Sequence, residues 1–454
     1  MTVQPPVVAG SFYPADPGTL GSTVKGLLSS APALDVPPPK AVVLPHAGYR
    51  FSGPVAASAA ITLQPGIQRV VILGPSHRFA FKGVALPDAK AMATPLGELP
   101  LDRAECDALL AEPDVAVVPR AFAEEHSIEI ELPFLIARLG EVALVPLVVG
   151  EISIDRLAAL IRKLWGGEET LIVISTDLTH FLTAEQAAKI DLATAHNVEK
   201  TDGSRLSGRD ACGHRPLSAF LKMAAEKGLR MTRTALTHSG AVTGDNTRVV
   251  GYGAWLAHEA EEARLSPTHR SAVLRVARQT LLSRARKGRP PEINLGSFPA
   301  PLQGIAPAFV TLTRKGRLRG CIGSLQPHQP LARDVLHNAV KAGFKDPRFT
   351  PITEAEIEAT DLEVAILSAP APMLFSSQAD LRAQIRPGRD GLIFESKGRR
   401  GTFLPKVWDH LATPDAFLDG LKVKAGLPKD HWAEDVQVWR YVTETFSDRS
   451  AEMR

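Results

Sequence analysis

Short runs of consecutive apolar residues, rich in valine and isoleucine, recur between about residues 40 and 175 and end in polar or glycine-rich segments. Continuous apolar runs of this length are typical of strands buried on both faces of a sheet. Helical periodicity over 154–165 and 184–199 predicts helices between and after these strands. Because strands alternate with helices, the pattern predicts an α/β domain with a mostly parallel sheet. The runs are Lys40-AVVL, Arg69-VVIL, Leu144-VPLVV and Leu171-IVI.

A polar stretch near residue 260 divides the chain. The run VVGYGAWLA after Arg248 predicts a further buried strand that closes the first domain. Acidic residues follow it, and Ser266-Pro267 then reads as a helix cap, so the stretch is typical of a short linker. We therefore predict a first domain over 1–262 and a second over 266–454.

The second domain shows no regular alternation of strands and helices. An amphipathic helix is predicted over 272–285, and strand-like runs occur at Ala308-FVTLT and Leu362-EVAIL with proline-rich loops between. Mixed elements without a βαβ rhythm favour an α+β arrangement.

Histidines and a carboxylate follow the predicted strands of the first domain. His46 comes after the first run, His77 after the second, and Asp177 and His180 after the fourth, while Glu125-His126 precedes an apolar helical segment. Ligands bind at the carboxyl ends of parallel strands, where these loops meet. Two histidines with one carboxylate are the pattern of non-haem Fe(II) sites. A single histidine at a strand end is more often structural, so a hydrogen-bonding role is the alternative for each.

The second domain offers one cysteine between glycines, in the segment Leu318-RGCIGS. Glycines at this spacing predict a tight turn with exposed amide groups, and Arg317 and Arg319 would favour a thiolate at Cys321. A nucleophilic or redox-active Cys321 is one interpretation, and a structural turn is the other.

Charge and cysteine content narrow the functional classes. The chain has 52 basic and 49 acidic residues and a net charge of +3, which gives no broad surface for nucleic acid or an acidic membrane. Three widely spaced cysteines do not make a disulfide framework. Because the N-terminus lacks signal-peptide features and no run has the length of a membrane helix, we predict a cytoplasmic location.

Seven ordered segments of residues 1–260 resemble the Memo family. They are Val8-AGSFYP, PHAGYRFSG, LGPSH, TPLGELPLD, EEHSIEIELPFL, ISTDLTHF, and THSGAVTGD with VVGYGAW. The family is similar in structure to class III extradiol dioxygenases, which hold non-haem iron. The resemblance implies a pocket at His46, His77, Asp177 and His180.

From this resemblance we assign roles within the pocket. His46, His77 and Asp177 are expected to bind a divalent transition metal, iron(II) in the first place and zinc as the alternative. His180 or His126 would act as general acid or base, because imidazole titrates near neutral pH. Tyr49 and Glu125 are expected to contact the substrate.

A cysteine that animal members of the family carry is missing here, since the corresponding segment reads Ser239-Gly240-Ala241-Val242. A thiolate from that position is excluded, which disfavours copper and favours iron or zinc. Cys212 is either a redox thiol or a small buried residue at a helix start.

Residues 266–454 resemble the AMMECR family, through the LRGCIG segment, Phe344-KDPRF, Leu362-EVAILS and Gly391-LIFESKGRRGTFLPKVW. The resemblance implies a fold of two α+β subdomains with a groove near LRGCIG. We expect Arg319, Cys321, Asp346 and Arg348 to line it. Memo-like and AMMECR-like proteins are components B and A of the AmmeMemoRadiSam system, so a radical S-adenosylmethionine enzyme is the expected partner.

Three functional hypotheses follow. The first is a metal-dependent, dioxygenase-like or other redox enzyme that acts on a small molecule, fused to an accessory domain. The second is a binding module whose degenerate metal pocket recognises a peptide or a modified side chain without turnover. The third is a zinc-dependent hydrolase, in which metal-bound water attacks an ester or amide.

Overall fold

The computed structural model describes residues 2–32, 34, 36–259 and 265–448. The chain divides into two compact units, Met1–Met223 with Met231–His258, and Ala224–Arg230 with Glu259–Arg454. The predicted end of the first domain at residue 262 lies outside the described residues.

The first unit is built from strands β1–β12 and helices α1–α8. Short 3₁₀ helices at Pro119–Ala121 and Glu129–Glu131 lie in the loop that connects Val117 to Leu132. The strands are Thr2–Gln4, Ala41–Leu44, Arg69–Pro75, Val84–Leu86, Ala89–Thr94, Gly97–Pro100, Val115–Val117, Ala143–Val149, Thr170–Ser175, His180–Leu182, Leu229–His238 and Val249–Glu259. The helices are Pro17–Ser30, Tyr49–Ala60, Arg103–Leu109, Leu132–Leu139, Ile154–Lys163, Ala184–Glu199, His214–Lys227 and Gly240–Thr243.

The central sheet of this unit runs in the order β10-β12-β2-β9-β3-β8-β4-β7, and β11 pairs with β12. The four strands in its middle, β2, β9, β3 and β8, are parallel. Antiparallel partners lie on both sides, with β12 beside β2 and β4 beside β8. Every residue of β2 and β9 is buried, which is why these strands read as unbroken apolar runs. A separate small sheet has the order β1-β5-β6.

The predicted strands and helices of this unit are confirmed. The four valine-rich and isoleucine-rich runs form the parallel centre of the sheet, and the two predicted helices are α5 and α6. Helix α6 begins with a capping box, in which the side chains of Thr183 and Gln186 bond reciprocally to backbone N–H groups. The predicted run after Arg248 is β12, an antiparallel neighbour of β2.

The second unit contains helices α9–α14, strands β13–β20 and two short 3₁₀ helices, Leu295–Ser297 and Pro405–Asp409. The helices are Pro267–Lys287, Ala300–Gln303, Leu331–Phe344, Glu354–Glu358, Gln378–Gln384 and Pro414–Lys424. The strands are Ala308–Arg314, Arg317–Gly323, Asp361–Leu367, Ala371–Pro372, Gly391–Ser396, Arg399–Phe403, Gln437–Tyr441 and Thr443–Ser447.

Two antiparallel sheets give this unit its α+β character. One has the order β14-β13-β15-β20 and the other β16-β19-β17-β18. Helices α9 and α11 contribute to the apolar core of the first sheet, and α13 and α14 to that of the second. These separate cores agree with the two subdomains expected from the family resemblance. Among the described residues, none of the helices combines the length and the apolar character needed to cross a bilayer.

Candidate metal centre

Three loops bring histidine side chains together in the first unit. His46 lies two residues beyond β2 and His77 two residues beyond β3, at the carboxyl ends of parallel strands. His126 comes from the loop before the 3₁₀ helix at Glu129–Glu131. One ring nitrogen from each histidine lies within 4.8 Å of the other two. These three side chains are called the histidine cluster below.

The rings of the cluster face one another closely. The ring centroids of His77 and His126 are 4.9 Å apart and nearly parallel, at 21°. The His46 ring stands edge-on to both, at 5.1 Å from His77 and 5.4 Å from His126. Like-charged imidazolium rings at these distances repel each other, so the arrangement favours neutral rings.

Ser175 fixes the tautomer of His46. Nδ1 of His46 lies 2.8 Å from the Ser175 hydroxyl, whose own proton points to the carbonyl oxygen of Ser127 at 2.5 Å. The hydroxyl therefore accepts from Nδ1–H, which leaves the lone pair of His46 on Nε2. His46 is 1% exposed, and burial lowers its pKa well below the usual value, with the neighbouring histidines adding to the effect.

Glu125 accepts hydrogen bonds from both the ring and the backbone of His77. Its Oε1 accepts from Nδ1 of His77 at 2.9 Å, and its Oε2 accepts from the His77 backbone N–H at 2.6 Å. Burial alone would raise the pKa of Glu125, but these bonds and one from the Ser127 backbone outweigh burial and lower the pKa to about 2. The carboxylate is ionised at neutral pH, and the lone pair of His77 is left on Nε2.

His126 completes the cluster as a neutral ring. Burial lowers its pKa to about 4, although the nearby Glu125 carboxylate raises it. Nδ1 of His126 lies 3.6 Å from Oε1 of Glu125, beyond hydrogen-bond reach. Its ring packs edge-on against Phe12, with centroids 4.9 Å apart. Metal ions bind neutral imidazole, so the low pKa suits His126 to a ligand role.

Cys212 contacts the cluster from one side. Its Sγ lies 3.2 Å from Nε2 of His46, and the backbone N–H of Asp177 points at the same sulfur from 3.3 Å. Burial raises the pKa of Cys212 to about 12, so the thiol is protonated at neutral pH and donates towards His46. A protonated thiol is a poor nucleophile, which disfavours the redox role, and the Cys212 side chain is half-buried just before α7.

Asp177 and His180, which the family resemblance places in the pocket, lie outside the histidine cluster. Oδ1 of Asp177 accepts from the backbone N–H of His46 at 2.8 Å, and burial raises the pKa of this carboxyl to about 7. Nδ1–H of His180 donates to the Leu178 carbonyl at 2.9 Å, and burial lowers the pKa of the ring. Asp177 thus fixes the loop that carries His46, and Nε2 of His180 has no hydrogen-bond partner among the described residues.

The structure places Tyr49 and Glu125, which were expected to contact the substrate, in buried and hydrogen-bonded positions. Tyr49 is 4% exposed, and its hydroxyl donates to the Ile130 carbonyl at 2.8 Å. Its burial raises the pKa of the phenol well above the usual value. Glu125 is 6% exposed and is engaged with His77. Tyr49 thus stabilises the segment at Ile130, and Glu125 stabilises the loop that carries His77.

In the second unit the structure brings Cys321, Asp346 and Arg348 together. The Cys321 backbone N–H donates to Oδ2 of Asp346 at 3.0 Å, and Arg348 donates to the Cys321 carbonyl at 3.2 Å. Arg348 also pairs with Asp346 at 2.7 Å, and this hydrogen bond holds the pKa of Asp346 far below its usual range. Arg319 instead lies against Glu356 and the Thr350 carbonyl.

The tight turn expected around Cys321 is wrong, because Arg317–Gly323 is strand β14. A Cβ at Gly320 would lie 2.1 Å from the Ala342 carbonyl oxygen, and one at Gly323 would lie 2.1 Å from the Phe309 ring. The two glycines therefore allow close packing against α11 and β13, and they do not serve a turn.

Two contacts of the cluster were not anticipated from the sequence. His126 was expected to act as an acid or base, yet it joins His46 and His77, while Ser175 was assigned no role. A signal existed for Ser175, since it is the first polar residue after the apolar run of β9. His126 was a candidate because Glu125-His126 precedes an apolar segment, but its loop follows no strand of the parallel centre, so the sequence did not indicate a ligand role for it.

Comparisons with known proteins match both units. The family model for Memo-like protein matches residues 4–256, more than half of the chain, and the AMMECR1 model matches residues 274–446. A MEMO1 family protein of Methanosarcina mazei is 34% identical over 271 residues, covering 56% of this chain and 98% of the relative. One of Aquifex aeolicus is 32% identical over 267 residues, with coverage of 56% and 98%.

A crystal structure of the uncharacterized protein PH0010 from Pyrococcus horikoshii is 31% identical to part of the chain. It covers 40% of this chain and 91% of its own, with a TM-score of 0.37. The family matches, by contrast, span nearly all of both units. The chain belongs to the Memo-like protein family and carries an AMMECR1 domain after its Memo-like domain.

Proposed function

We propose that the first unit is a metal-dependent enzyme that performs dioxygenase-like or other redox chemistry on a small molecule, with iron(II) as the metal. The observation that carries the proposal is the histidine cluster, in which one ring nitrogen from each of three imidazoles lies within 4.8 Å of the other two. Burial lowers the pKa of His46 and of His126, and Glu125 accepts a hydrogen bond from Nδ1 of His77, so each ring can offer a nitrogen to a metal.

The donor set fits a divalent transition metal. Ser175 and Glu125 occupy Nδ1 of His46 and His77, so both residues present Nε2 to the cluster. Imidazole nitrogen suits iron, zinc, copper and nickel. Three protein ligands leave coordination positions open for water or a substrate, as in catalytic sites.

The residues around the cluster supply the remaining chemistry. A divalent metal held there would provide Lewis-acid or redox chemistry. We assign to His180 the role of general base towards a substrate hydroxyl, because burial lowers its pKa and its Nδ1–H is engaged with the Leu178 carbonyl. Asp177 acts on the loop of His46 through the backbone, which holds His46 in position.

Zinc-dependent hydrolysis is the second candidate. It is favoured by the absence of a carboxylate from the histidine cluster, because three histidines and one open position form a catalytic zinc site in known enzymes. Activity that survives strict anaerobiosis and is restored by zinc would select this function over the first.

Metal analysis of protein purified without oxygen tests the proposal. We expect close to one equivalent of iron or zinc in the wild type, and its loss in His46→Ala and His126→Ala. Asp177→Asn separates the two ligand sets, because the histidine cluster keeps its metal in this variant and a two-histidine, one-carboxylate site does not. Circular dichroism of each variant controls for folding. Less than about a tenth of an equivalent of any transition metal in the wild type would exclude a metal enzyme.

The role of the AMMECR1 domain and the radical S-adenosylmethionine partner are part of the same proposal. Fusion places one site of each kind in a fixed ratio and at high local concentration. Anaerobic co-purification of the full chain with such an enzyme, compared with Cys321→Ser, tests whether the groove near β14 takes part in docking. A partner that binds both proteins equally would assign docking to another surface.

A further inference from the structure

A cavity of about 480 Å³ lies beside the histidine cluster in the first unit. Cys212 forms part of its wall, and the sulfur of Cys212 touches Nε2 of His46 at 3.2 Å. Ser76, the residue before His77, lines the same cavity. The volume lies within the range of small-molecule sites, about 300–1,000 Å³. The side chain of Cys212 thus stands between this space and a candidate metal ligand.

Two aromatic rings form an apolar part of the wall. The centroids of Phe79 and Phe81 are 6.1 Å apart, and their planes differ by only 16°. Both side chains are half-buried, and the Arg120 guanidinium lies 4.7 Å from the centroid of the Phe79 ring, so a ligand would meet the ring surface that these contacts leave open. Aromatic rings favour contact with another planar aromatic group, so these two residues favour a planar ring in the ligand over an aliphatic group of the same volume.

Two cations lie on the same wall without acidic partners. Lys82 and Arg215 line the cavity, and neither forms an ion pair within the part of the chain that the structure describes. Glu151 also lines the cavity and offsets one of the two charges. Arg215 is partly buried, where its planar guanidinium can bind a carboxylate through two parallel hydrogen bonds.

We propose that this cavity binds a small flat ring that carries a carboxylate. The ring packs on Phe79 and Phe81, and the carboxylate is held by Arg215 with Lys82 nearby. The role of this ligand as the substrate of the adjacent centre rests on the proposed function, whereas its binding does not. The full chain should therefore bind such a molecule with or without metal.

Three probes of similar size separate the two features of the ligand. Benzoate has the ring and the charge, cyclohexanecarboxylate has the charge without the flat ring, and benzamide has the ring without the charge. Calorimetric titration of the full chain, after chelator treatment and again with zinc added, measures each affinity. We expect benzoate to bind about tenfold more tightly than either of the other two in both states.

Variants then locate the binding site. Arg215→Ala and Lys82→Ala are expected to weaken benzoate binding about five- to tenfold and to leave benzamide unchanged. Phe81→Leu keeps most of the apolar volume, and it should remove the preference for benzoate over cyclohexanecarboxylate. Arg209→Ala is the matched control, because Arg209 is exposed in the loop just before α7 and is not among the residues that line the cavity.

Defined outcomes overturn the inference. Equal affinity for benzoate and benzamide, or equal effects of Arg215→Ala and Arg209→Ala, would refute the anion site. If benzoate binds only when zinc is present, and its affinity is unchanged in Arg215→Ala and Lys82→Ala, the probe binds the metal and not the cavity. If the wild type binds benzoate as described but holds no metal, the proposed function fails and the binding site stands.

Discussion

Replacing Glu125 by glutamine should weaken metal binding without unfolding the first unit. The carboxylate accepts four hydrogen bonds, three at Oε1 from Nδ1 of His77 and the backbone N–H groups of His126 and Ser127, and one at Oε2 from the His77 backbone. Glutamine keeps only one acceptor oxygen. Its NH₂ group must therefore face at least one of these N–H donors.

The expected magnitude follows from this geometry. With the amide oxygen at the Oε1 position, the His77 backbone N–H loses its acceptor, and a buried donor without a partner costs about 1–3 kcal/mol of unfolding free energy. The negative charge that holds Nδ1–H of His77 is lost as well. Removing a carboxylate partner of this kind lowers metal affinity about 10–100-fold, or roughly 1.4–2.7 kcal/mol.

Competition with a chromophoric chelator measures the zinc affinity, and urea unfolding of the metal-free protein measures the stability separately. Glu124→Gln is the matched control, since Glu124 is exposed and makes the same change of charge one residue away. If the two variants bind zinc within about twofold of each other, Glu125 does not position a metal ligand, and the role assigned to His77 is refuted.

Three further substitutions test the stability of both units. Burial, reinforced by nearby cations, lowers the pKa of His196 to about 4, whereas the unfolded chain protonates near 6.5. The contribution of His196 to stability is therefore fully present above about pH 6.5, and about 1–2 kcal/mol of it is lost as the pH falls towards 4, after allowance for partial exposure. The pH dependence of unfolding of His196→Gln should lack this component. Arg233 and Glu199 form an ion pair in which each side chain is 2% exposed. Arg233→Met should lower the free energy of unfolding, measured in urea, by about 3–5 kcal/mol, because it leaves the Glu199 charge buried and unpaired. The double variant with Glu199→Leu should recover much of that loss. A loss below about 1 kcal/mol in Arg233→Met would show that the pair is not buried in solution. Gly320→Ala should destabilise the second unit by about 1–3 kcal/mol, because its Cβ would lie 2.1 Å from a carbonyl oxygen. Gly296→Ala serves as its control in thermal unfolding, and equal melting temperatures would contradict the close packing.

The central strands and helices could be predicted from the sequence, because a strand that is buried on both faces of the sheet appears in the sequence as an unbroken apolar run. An unbroken run such as Ile172, Val173 and Ile174 has no other simple interpretation when polar residues follow it. The placement of His46 and His77 at one edge follows from the same strands, since parallel neighbours end on the same side.

The membership of the cluster could not be predicted in this way. Asp177 has the chemistry of a metal ligand and also that of a backbone acceptor, and only the position of the His46 N–H decides between them. His126 arrives from a loop that Glu125 ties to His77, a contact between segments 48 residues apart. The prediction of a turn at the glycines of β14 was wrong for a related reason. A side chain is excluded there by contacts with α11 and β13 and not by the local backbone conformation.

The histidines of the cluster come from segments that are far apart in the chain. Positions 46, 77 and 126 are separated by 31 and 49 residues, so one ion bound to all three would close two large loops at once. In the unfolded chain, closing loops of this length costs entropy that grows only slowly with length, and a bound metal would act much as cross-links do. Loss of the metal would then first increase the rate of local opening of the loop that carries His126. Protease resistance of that segment would report on metal occupancy even where no catalytic assay exists.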